Sequence, residues 1–448
     1  SNSISITSTI VPNTSTWLGI NTNWNDQSNW CGGLPDSSKN VIISSSVSNY
    51  PIIGTNTTGY CLDITINSGS SLSIVNTGSI NIKGNLNNNG VLSNNGKITL
   101  AGNRAQTFPG QGIITAMDTL QLNNPFGITL NKSIFIQKEL RPTAGILALG
   151  DFDITLKSNS IATASVSAIG LNSGFTYGLG RFIVERYIST GTGSGQHGKS
   201  WQFITAPVRG SQTIKQSWQE NAAYPNQNPN PGFGTQITSD ISNAISLGFD
   251  MRTNLPSMKT YDSTSNTFVG IPNTNSYPIE NSKGYMIFIR GNRYDTSYTQ
   301  MADPTTLRAR GTIYARGNDA PPVINIPAGK YQSIGNPYPS CIDFSNNSGI
   351  IFNRGSSIDN LFYVWDPTLL GSNNLGGYQT ISPVNNWIPV PGGTNAYPSN
   401  IPNSKIQSGQ AFFMHASGQG GTVTFTEDAK KSGSNLVTRN TSANNTQN

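Results

Sequence analysis

Short apolar alternations separated by polar turns are the main pattern in the first third of the chain. Within residues 62–156, aliphatic and polar side chains alternate strictly over a few positions, and the gaps are rich in Gly and Asn. The alternating stretches lie at 62–66, 72–74, 80–82, 98–100, 120–122, 128–130, 134–136 and 154–156. Strands this short are typical of β-solenoid rungs, whose inward side chains stack from coil to coil. At about 20 residues per coil, the pattern predicts roughly five coils.

The segment before these stretches is rich in tryptophan. Residues 1–61 contain Trp17, Trp24 and Trp30 among Asn and Gly residues. A solenoid needs a cap that covers the open strand edges at its end. We therefore predict that residues 1–61 form a Trp-rich N-terminal cap. The alternative is a platform of exposed indole rings that binds sugar.

The pattern changes after a bridge at residues 157–180. Residues 181–188 form the most regular single strand, and many short strands with Pro-rich turns follow between residues 237 and 425. This arrangement is typical of a β-sandwich, which we predict for residues 181–431. One short helix is expected at 211–223, because Ser211 is a suitable N-cap and Ile214 and Trp218 would share a face. Residues 432–448 are predicted to be a polar tail.

The composition supports an all-β protein: an N-terminal Trp-rich cap and β-solenoid followed by a β-sandwich-like domain with one short helix. Val, Ile, Thr, Tyr and Phe alternate between turn residues, whereas residues typical of helical bundles are scarce. Only 11% of residues are charged, against about 25% in an average soluble protein. No apolar run approaches the ~20 residues of a membrane helix, so membrane insertion is not expected.

The positive charge of the chain is dispersed. The net charge is +6, but the 27 basic residues are scattered singly and do not alternate with aromatic residues in a strip. A basic strip of that kind is the usual mark of a nucleic-acid interface. No nucleic-acid partner is predicted.

Three cysteines give the only covalent hypothesis that follows from composition. A disulfide between Cys31 and Cys61 would close a loop of about 30 residues, and we predict it; the alternative is two buried thiols. Cys341 has no partner left and is interpreted as a small buried hydrophobic residue. A disulfide in a chain with few charges favours an extracytoplasmic protein. The first residue is Ser1, not Met, and we therefore expect a processed mature chain.

The residues that could carry catalysis do not form a recognisable motif. His197 and His415 are the two histidines, and neither belongs to a hydrolase signature. A glycosidase needs two carboxylates roughly 5 to 10 Å apart, but sequence spacing does not bring together any two of the candidates. Those candidates are Asp250, Asp262, Asp343, Asp359 and Asp366. We predict that the protein is not an enzyme.

No metal or cofactor site is predicted. Asn21, Asn23, Asn25 and Asp26 alternate as the ligands of a calcium loop do. The ligands are mostly neutral, however, and the bidentate Glu that ends such a loop is missing. We interpret the segment as an Asn-rich turn. The three cysteines contain no CxxC pair, which argues against structural zinc.

Several phrases, in order along nearly the whole chain, resemble large secreted surface proteins of Bacteroidota. They are WNDQSNWCGGLP at 24–35, VII at 41–43, YP at 50–51, ITINSG at 64–69, GN at 84–85, VERY at 184–187, APV at 206–208, WQE at 218–220, GFGTQIT at 232–238, GNPYPSCID at 335–343, YVWDP at 363–367 and GQAFF at 409–413. Cys341 departs from the resemblance, because a small residue other than Cys is usual in that segment.

The resemblance implies export by a type nine secretion system and a location outside the cell or on the outer face of the outer membrane. The partners in transit would be the export channel and its shuttle protein. Such proteins normally carry a C-terminal β-sandwich that directs export, and none is visible before Asn448. We expect that this sorting domain was cleaved or left out of the sequence.

Two classes of function remain. The first is a non-enzymatic, adhesin-like or structural surface protein, acting through extended β surfaces and exposed Tyr and Trp on glycans or surface proteins. The second is a carbohydrate-binding or carbohydrate-cleaving surface protein. We predict the first.

The resemblance also implies covalent sugar. Bacteroidota attach O-glycans at Asp followed by Ser or Thr and then a small aliphatic residue or Thr. Two tripeptides fit, and they make Thr119 and Ser263 the candidate attachment residues. Ser263 would lie in a polar turn between strands. Thr119 would point outward if Leu120 and Leu122 point inward.

Overall fold

The computed structural model describes residues 13–190, 198–294, 302–345, 349–353, 357–369 and 376–432. The protein is all-β, with 42% strand, 3% helix and a β-solenoid of about seven turns. Helix in the described residues is confined to short 3₁₀ segments: Gln27–Asn29, Pro225–Gln227, Pro383–Asn385 and Glu427–Ala429. The predicted fold class is therefore confirmed in its all-β character and its solenoid.

Connections between strands are short in the first part of the chain, and the longest one in unit 2 runs from Ile204 to Met258. The first eighteen are β1 (Thr14–Trp17), β2 (Trp30–Cys31), β3 (Asn40–Ile43), β4 (Ile52–Ile53), β5 (Thr58–Cys61), β6 (Ile64–Ile66), β7 (Ser71–Ile74), β8 (Ser79–Ile82), β9 (Leu86–Asn88), β10 (Val91–Leu100), β11 (Gln106–Phe108), β12 (Ile113–Asn123), β13 (Ile128–Leu130), β14 (Ile134–Ile136), β15 (Glu139–Ala148), β16 (Ile154–Leu156), β17 (Ser165–Val166) and β18 (Ser173–Thr176). The remaining strands are β19 (Phe182–Ile188), β20 (Ser200–Ile204), β21 (Met258–Asp262), β22 (Thr267–Gly270), β23 (Tyr285–Ile289), β24 (Thr305–Gly311), β25 (Val323–Ile326), β26 (Tyr331–Gly335), β27 (Cys341–Asp343), β28 (Ile350–Asn353), β29 (Phe362–Asp366), β30 (Gly377–Ile381), β31 (Lys405–Ile406), β32 (Ala411–His415), β33 (Gly421–Phe425) and β34 (Lys430–Lys431).

The chain divides into two compact units. Within the described residues, unit 1 contains residues 13–136, 140–152 and 170–179, and unit 2 contains residues 137–139, 153–169 and the rest from 180 onward. The predicted tail at 432–448 lies outside the described residues except for Ser432, as does His197.

Parallel pairing builds the solenoid faces of unit 1. One face stacks β1, β3, β6 and β9. A second stacks β4, β7 and the first halves of β10 and β12, and a third stacks β5, β8 and the second halves of the same two strands. The predicted rungs of 62–156 are therefore parallel strands, and the parallel stack begins earlier, at β1.

The solenoid core is a set of in-register columns of aliphatic side chains. On the third face Cys61, Ile82, Leu100 and Leu122 stand in one column, and each is at most 1% exposed. Alternation along a strand sends every second side chain inward, so one column continues through successive coils. Burial of each Leu or Ile contributes about 1.5–3 kcal/mol before entropy is counted.

Buried asparagines close the corners of the coils. Asn94 Oδ1 accepts from the Gly96 amide at 3.1 Å, and Asn94 Nδ2 donates to the Thr119 carbonyl at 3.1 Å. The side chain thus satisfies backbone groups that the bend removes from the ladder. Gly96 is required there, because an added Cβ would lie 2.2 Å from the Gly78 carbonyl oxygen. This corner is why β10 is ten residues long: two rung strands are joined across a bend.

The three tryptophans of the predicted cap, residues 1–61, pack together, although β1, β3, β4 and β5 of that segment are already rungs of the parallel stack. The Trp30 ring makes edge contacts with Trp17 at 4.8 Å and Trp24 at 4.9 Å between centroids. None of the three is more than 4% exposed, which rules out the alternative of an indole platform for sugar. Trp24 also packs on β5, where a Cβ added to Gly59 would lie 3.0 Å from the indole. Their buried faces stabilise the first coil.

Unit 2 is built mainly from antiparallel sheets. One has the order β20-β23-β21-β22 and another the order β26-β32-β29-β30. Two three-stranded sheets, β25-β33-β28 and β31-β27-β34, complete this region. One face of the sheet around β32 packs on a core that includes Phe362, Phe412, Met414 and Phe425. β19, predicted as the clearest strand, pairs in parallel with β16 and antiparallel with β24.

The helix predicted at 211–223 is wrong. Residues 214–221 form consecutive turns, although Ile214 and Trp218 are both buried, as their spacing indicated. Glu220 and Asn221 have φ values of 52° and 55°, in the left-handed region that ends an α-helix.

Candidate functional site

The clearest candidate surface lies where two sheets of unit 2 face each other. The ring of Phe203 on β20 stacks on the ring of Phe413 on β32, with 4.9 Å between centroids and 24° between planes. Both side chains are buried. Stacked aromatic pairs of this kind contribute about 0.5–1.5 kcal/mol beyond their buried area.

A ring of half-buried aromatic side chains surrounds this pair. We call it the aromatic seam, and its members are Trp201, Tyr261, Phe268, Tyr331, Tyr363 and Trp365. The Tyr261 ring touches Phe413 at 4.7 Å between centroids. Trp365 Nε1 donates to the Trp201 carbonyl oxygen at 2.8 Å, which ties the two sheets together. The seam is therefore a fixed surface that keeps part of each ring open to solvent.

Strand alternation explains how the sequence builds the seam. Trp201 and Phe203 lie on one face of β20, and the residues between and after them, Gln202 and Ile204, lie on the other. Tyr363 and Trp365 stand two positions apart on β29 in the same way. An aromatic residue at every second position is the sequence signal for such a face, and it is present in both strands.

Polar groups lie at the edge of the seam. Lys259 Nζ is 5.3 Å from the centre of the Trp201 ring. The His415 ring lies 4.5 Å from that of Tyr331, and its Nδ1 is 2.7 Å from Asp359 Oδ2. Burial, and then the neighbouring Tyr331, raise the pKa of Tyr363 to about 12. The contribution of Tyr331 is a hydrogen bond with the protonated phenol, so the two tyrosines hold each other at the edge of the seam.

The five carboxylates considered for glycosidase chemistry each have their own hydrogen-bonding partners. Their acceptor contacts are Asp250 with Arg293 and Gln219, Asp262 with Ser265 and the Thr264 amide, Asp343 with Ser345 and Ser404, Asp359 with His415, and Asp366 with Thr368, Gln379 and Thr394. Hydrogen bonds from Ser265 lower the pKa of Asp262, and those from Ser404 and Ser345 outweigh burial to lower the pKa of Asp343. Asp262, Asp343 and Asp366 therefore cap turns, whereas Asp250 and Asp359 pair with Arg293 and His415.

A small cavity of about 130 Å³ is lined by two other carboxylates, Asp319 and Glu427. Asp319 pairs with Arg209 at 2.7 Å, and Glu427 pairs with Lys430 at 2.7 Å. Glu427 also accepts from the Ile169 amide at 2.9 Å. Asp319 is therefore engaged by a neighbouring cation, and Glu427 is engaged by a cation and by a backbone N–H.

The Asn-rich segment forms an internally bonded turn. Asn21 Nδ2 donates to Asp26 Oδ2 at 2.7 Å, and Asn29 Nδ2 donates to Asn21 Oδ1 at 2.7 Å. The backbone N–H of Asn23 donates to Asn21 Oδ1, and the backbone N–H of Asn25 donates to Asn23 Oδ1. Among the described residues, no group of three or more His, Cys, Asp or Glu side chains is placed to hold a metal ion.

The predicted Cys31–Cys61 disulfide is wrong. Cys31 is exposed on β2, whereas Cys61 is fully buried on β5, and both are free thiols. Alternation is the reason: Trp30 occupies the inward position on β2, so Cys31 points outward, while Cys61 joins the inward column of the third face. Cys341 is buried and free, as predicted, and burial raises the pKa of its thiol to about 12.

The two candidate glycosylation residues are both partly exposed, one on a strand and the other in a turn. Thr119 is half-buried on β12 between the buried Asp118 and Leu120, so it has the outward orientation that alternation predicts. Ser263 lies in the turn that joins β21 to β22, and Asp262 and Thr267 are paired at its base. Its predicted position in a polar turn between strands is confirmed.

Comparison with known proteins adds one match. Residues 16–139 match a family described as a domain of unknown function, DUF8693. Neither the curated proteins nor the solved structures contain a match to this chain. The matched segment coincides with most of the solenoid part of unit 1, and the aromatic seam lies outside it.

Proposed function

We propose that this is a non-enzymatic, adhesin-like cell-surface protein that binds glycans through the aromatic seam. The observation that carries the proposal is the set of six half-buried aromatic rings held on two facing sheets. Half-exposed Tyr and Trp present an apolar face beside a hydrogen-bonding group. Such rings suit the apolar faces of sugar rings, and the polar groups at the edge of the seam suit their hydroxyls.

Binding without cleavage is the version we favour. The carboxylates that could serve a glycosidase are occupied by hydrogen bonds and ion pairs of their own. The solenoid of unit 1, with its filled aliphatic columns, suits a spacer or structural role.

We further propose that the protein is secreted by a type nine secretion system and meets the export channel and shuttle protein in transit. The ordered phrases shared with Bacteroidota surface proteins support this proposal. Since the disulfide is absent, it no longer contributes to the argument. In the described part of the chain, no helix has the length and apolarity needed to cross a membrane.

O-glycans at Thr119 and Ser263 belong to the same proposal. Both side chains are partly open to solvent, and a glycan on a surface turn has little structural cost. The intact mass of protein from its native host should exceed that of the bare chain. Ser263→Ala and Thr119→Val should each lower this mass by the mass of one glycan. A native mass equal to that of the bare polypeptide would exclude both sites.

Two experiments test location and binding separately. Protease treatment of intact native cells should digest the protein, and digestion only after lysis would contradict surface display. An array of neutral and acidic glycans should retain the purified protein on a subset of neutral glycans. The absence of any retained glycan would contradict binding through the seam.

A further inference from the structure

A second, chemically different cleft lies in unit 2, away from the residues of the seam. It has a volume of about 650 Å³, within the range of small-molecule sites. Three arginines line it, namely Arg181, Arg209 and Arg310. The other lining residues are neutral and mostly polar: Gly210, Ser211, Gln212, Gln216, Asn221, Gly311 and Thr312.

Two of these guanidinium groups pair with carboxylates that do not line the cleft. Arg310 donates to both oxygens of Asp153, with Nη2 2.8 Å from Oδ1 and Nε 3.1 Å from Oδ2. Arg209 pairs with Asp319 at 2.7 Å. Neither Asp153 nor Asp319 lines the cleft. The cleft is therefore lined by three cations and by neither of the acids that pair with two of them.

Packing fixes the cleft further. The guanidinium of Arg209 lies over the Tyr314 ring, 4.3 Å from its centre. The Arg181 amide donates to Asp153 Oδ1 at 2.8 Å, so Asp153 connects Arg181 to Arg310. A site whose donors are held before the ligand arrives loses less entropy on binding.

One donor in this wall is unused. Arg209 Nε is buried and has no hydrogen-bond partner, although an unpaired buried donor costs about 1–3 kcal/mol. Because this Nε is not accessible to solvent, it does not contact a ligand directly, and an oxyanion in the cleft would be attracted by the charge of the guanidinium as a whole. Guanidinium forks match the planar geometry of carboxylates and the oxygens of sulfate.

The remaining lining groups indicate the rest of the ligand. Exposed amides of Gln216 and Asn221 and the hydroxyls of Ser211 and Thr312 suit a polyhydroxylated molecule. None of the described residues lining the cleft is aromatic, which argues against a stacked nucleobase.

We propose that this cleft binds an acidic sugar, a monosaccharide or disaccharide unit that carries a carboxylate or a sulfate ester. The acid group contacts the three arginines, and the sugar hydroxyls contact the amides and hydroxyls. This site does not depend on the aromatic seam, so either can fail without the other.

Isothermal titration calorimetry with four probes tests the proposal: glucuronic acid, glucose 6-sulfate, neutral glucose and inorganic sulfate. At least one acidic sugar should bind at least ten-fold more tightly than glucose, and its binding should weaken as ionic strength rises. Equal binding of glucose would overturn the proposal. Binding of inorganic sulfate but of neither acidic sugar would also overturn it, since the site would then recognise only the anion.

Matched variants locate the binding. Arg209→Gln and Arg181→Gln should each weaken acidic-sugar binding at least ten-fold, while Arg209→Lys should restore it in part. Arg316→Gln is the control, because Arg316 pairs with the exposed Asp428 elsewhere in unit 2. Trp201→Ala in the seam should leave acidic-sugar binding unchanged. Full binding by both glutamine variants, with melting temperatures unchanged, would place the ligand elsewhere and overturn the assignment.

Discussion

Arg293 and Asp250 form an ion pair in the interior of unit 2, with 2.9 Å between Nη2 and Oδ1 and side chains 0% and 1% exposed. Arg293 Nη1 also donates to the carbonyl oxygens of Gln219 and Ala222. Asp250 accepts from the Gln219 side chain and from the Ile237 amide. One pair thus joins four places in the chain, at residues 219–222, 237, 250 and 293.

Removing one member of this pair should destabilise unit 2 strongly. Arg293→Gln leaves a buried carboxylate without its cation and removes two donors from backbone carbonyls, so we expect a loss of about 3–5 kcal/mol. Urea unfolding followed by tryptophan fluorescence measures it. The control is Arg104→Gln, which breaks the exposed pair with Asp63 and should cost no more than about 1 kcal/mol. Equal losses in the two variants would contradict the structural role of the buried pair.

This pair also explains why sequence reasoning failed at 211–223. The spacing of Ile214 and Trp218 correctly marked buried positions, but the same spacing fits a series of turns. The chain instead turns at Glu220 and Asn221, which have left-handed φ values, and Arg293, more than 70 residues later in the chain, holds that turn by donating to the carbonyls of Gln219 and Ala222. A partner so distant in sequence leaves no local signal.

The tryptophan cap should carry much of the stability of the first coil. Trp24→Ala removes a ring that packs on Trp30 and Gly59, and such a truncation costs about 3–5 kcal/mol. Hydrogen exchange should accelerate in β1, β3 and β5 more than in β12. Ile20→Ala is the matched control, since Ile20 is 62% exposed and its loss should change little. Unchanged protection of β1 and β3 in Trp24→Ala would contradict the role of the cap.

The three thiols should react at different rates. Cys31 is exposed, whereas burial raises the pKa of Cys61 well above its ordinary value and that of Cys341 to about 12. Buried neutral thiols are poor nucleophiles. A thiol reagent should therefore modify one cysteine in the native protein and three after denaturation without reductant. A total of one would show that a disulfide does form.

Lys215 should make stability depend on pH in the alkaline range. Burial, and then the charge of Arg293, lower its pKa to about 8, and Nζ donates to the Ala223 and Gly248 carbonyls at 3.1 Å. Between about pH 8 and 10.5 the unfolded chain holds a proton that the folded protein lacks, so stability rises with pH there. Relative to Lys215→Met, the wild type should gain unfolding free energy across that range. A constant difference between the two proteins would contradict the lowered pKa.

Local periodicity was sufficient to predict the solenoid, because inward stacking depends on alternation within each short strand. The same alternation explains why the predicted disulfide does not form. Because Trp30 points inward on β2, Cys31 must point away from Cys61. That inference requires knowing which residue of β2 faces the core, and two residues are too few to show it. The aromatic seam could not be predicted from periodicity alone, since β20 and β32 are distant in sequence and only tertiary packing brings Phe203 onto Phe413.

The most direct test of binding through the aromatic seam is the affinity for a neutral glycan selected on the array, compared between wild type and two variants. Trp201→Ala should weaken that affinity at least ten-fold, because the indole is the largest type of aromatic side chain in the proposed surface and supplies contact area there. Tyr224→Ala, which removes a 53% exposed tyrosine outside the seam, should leave it unchanged. If Trp201→Ala stays folded and binds as tightly as wild type, the seam is not the binding surface and the proposed function is contradicted.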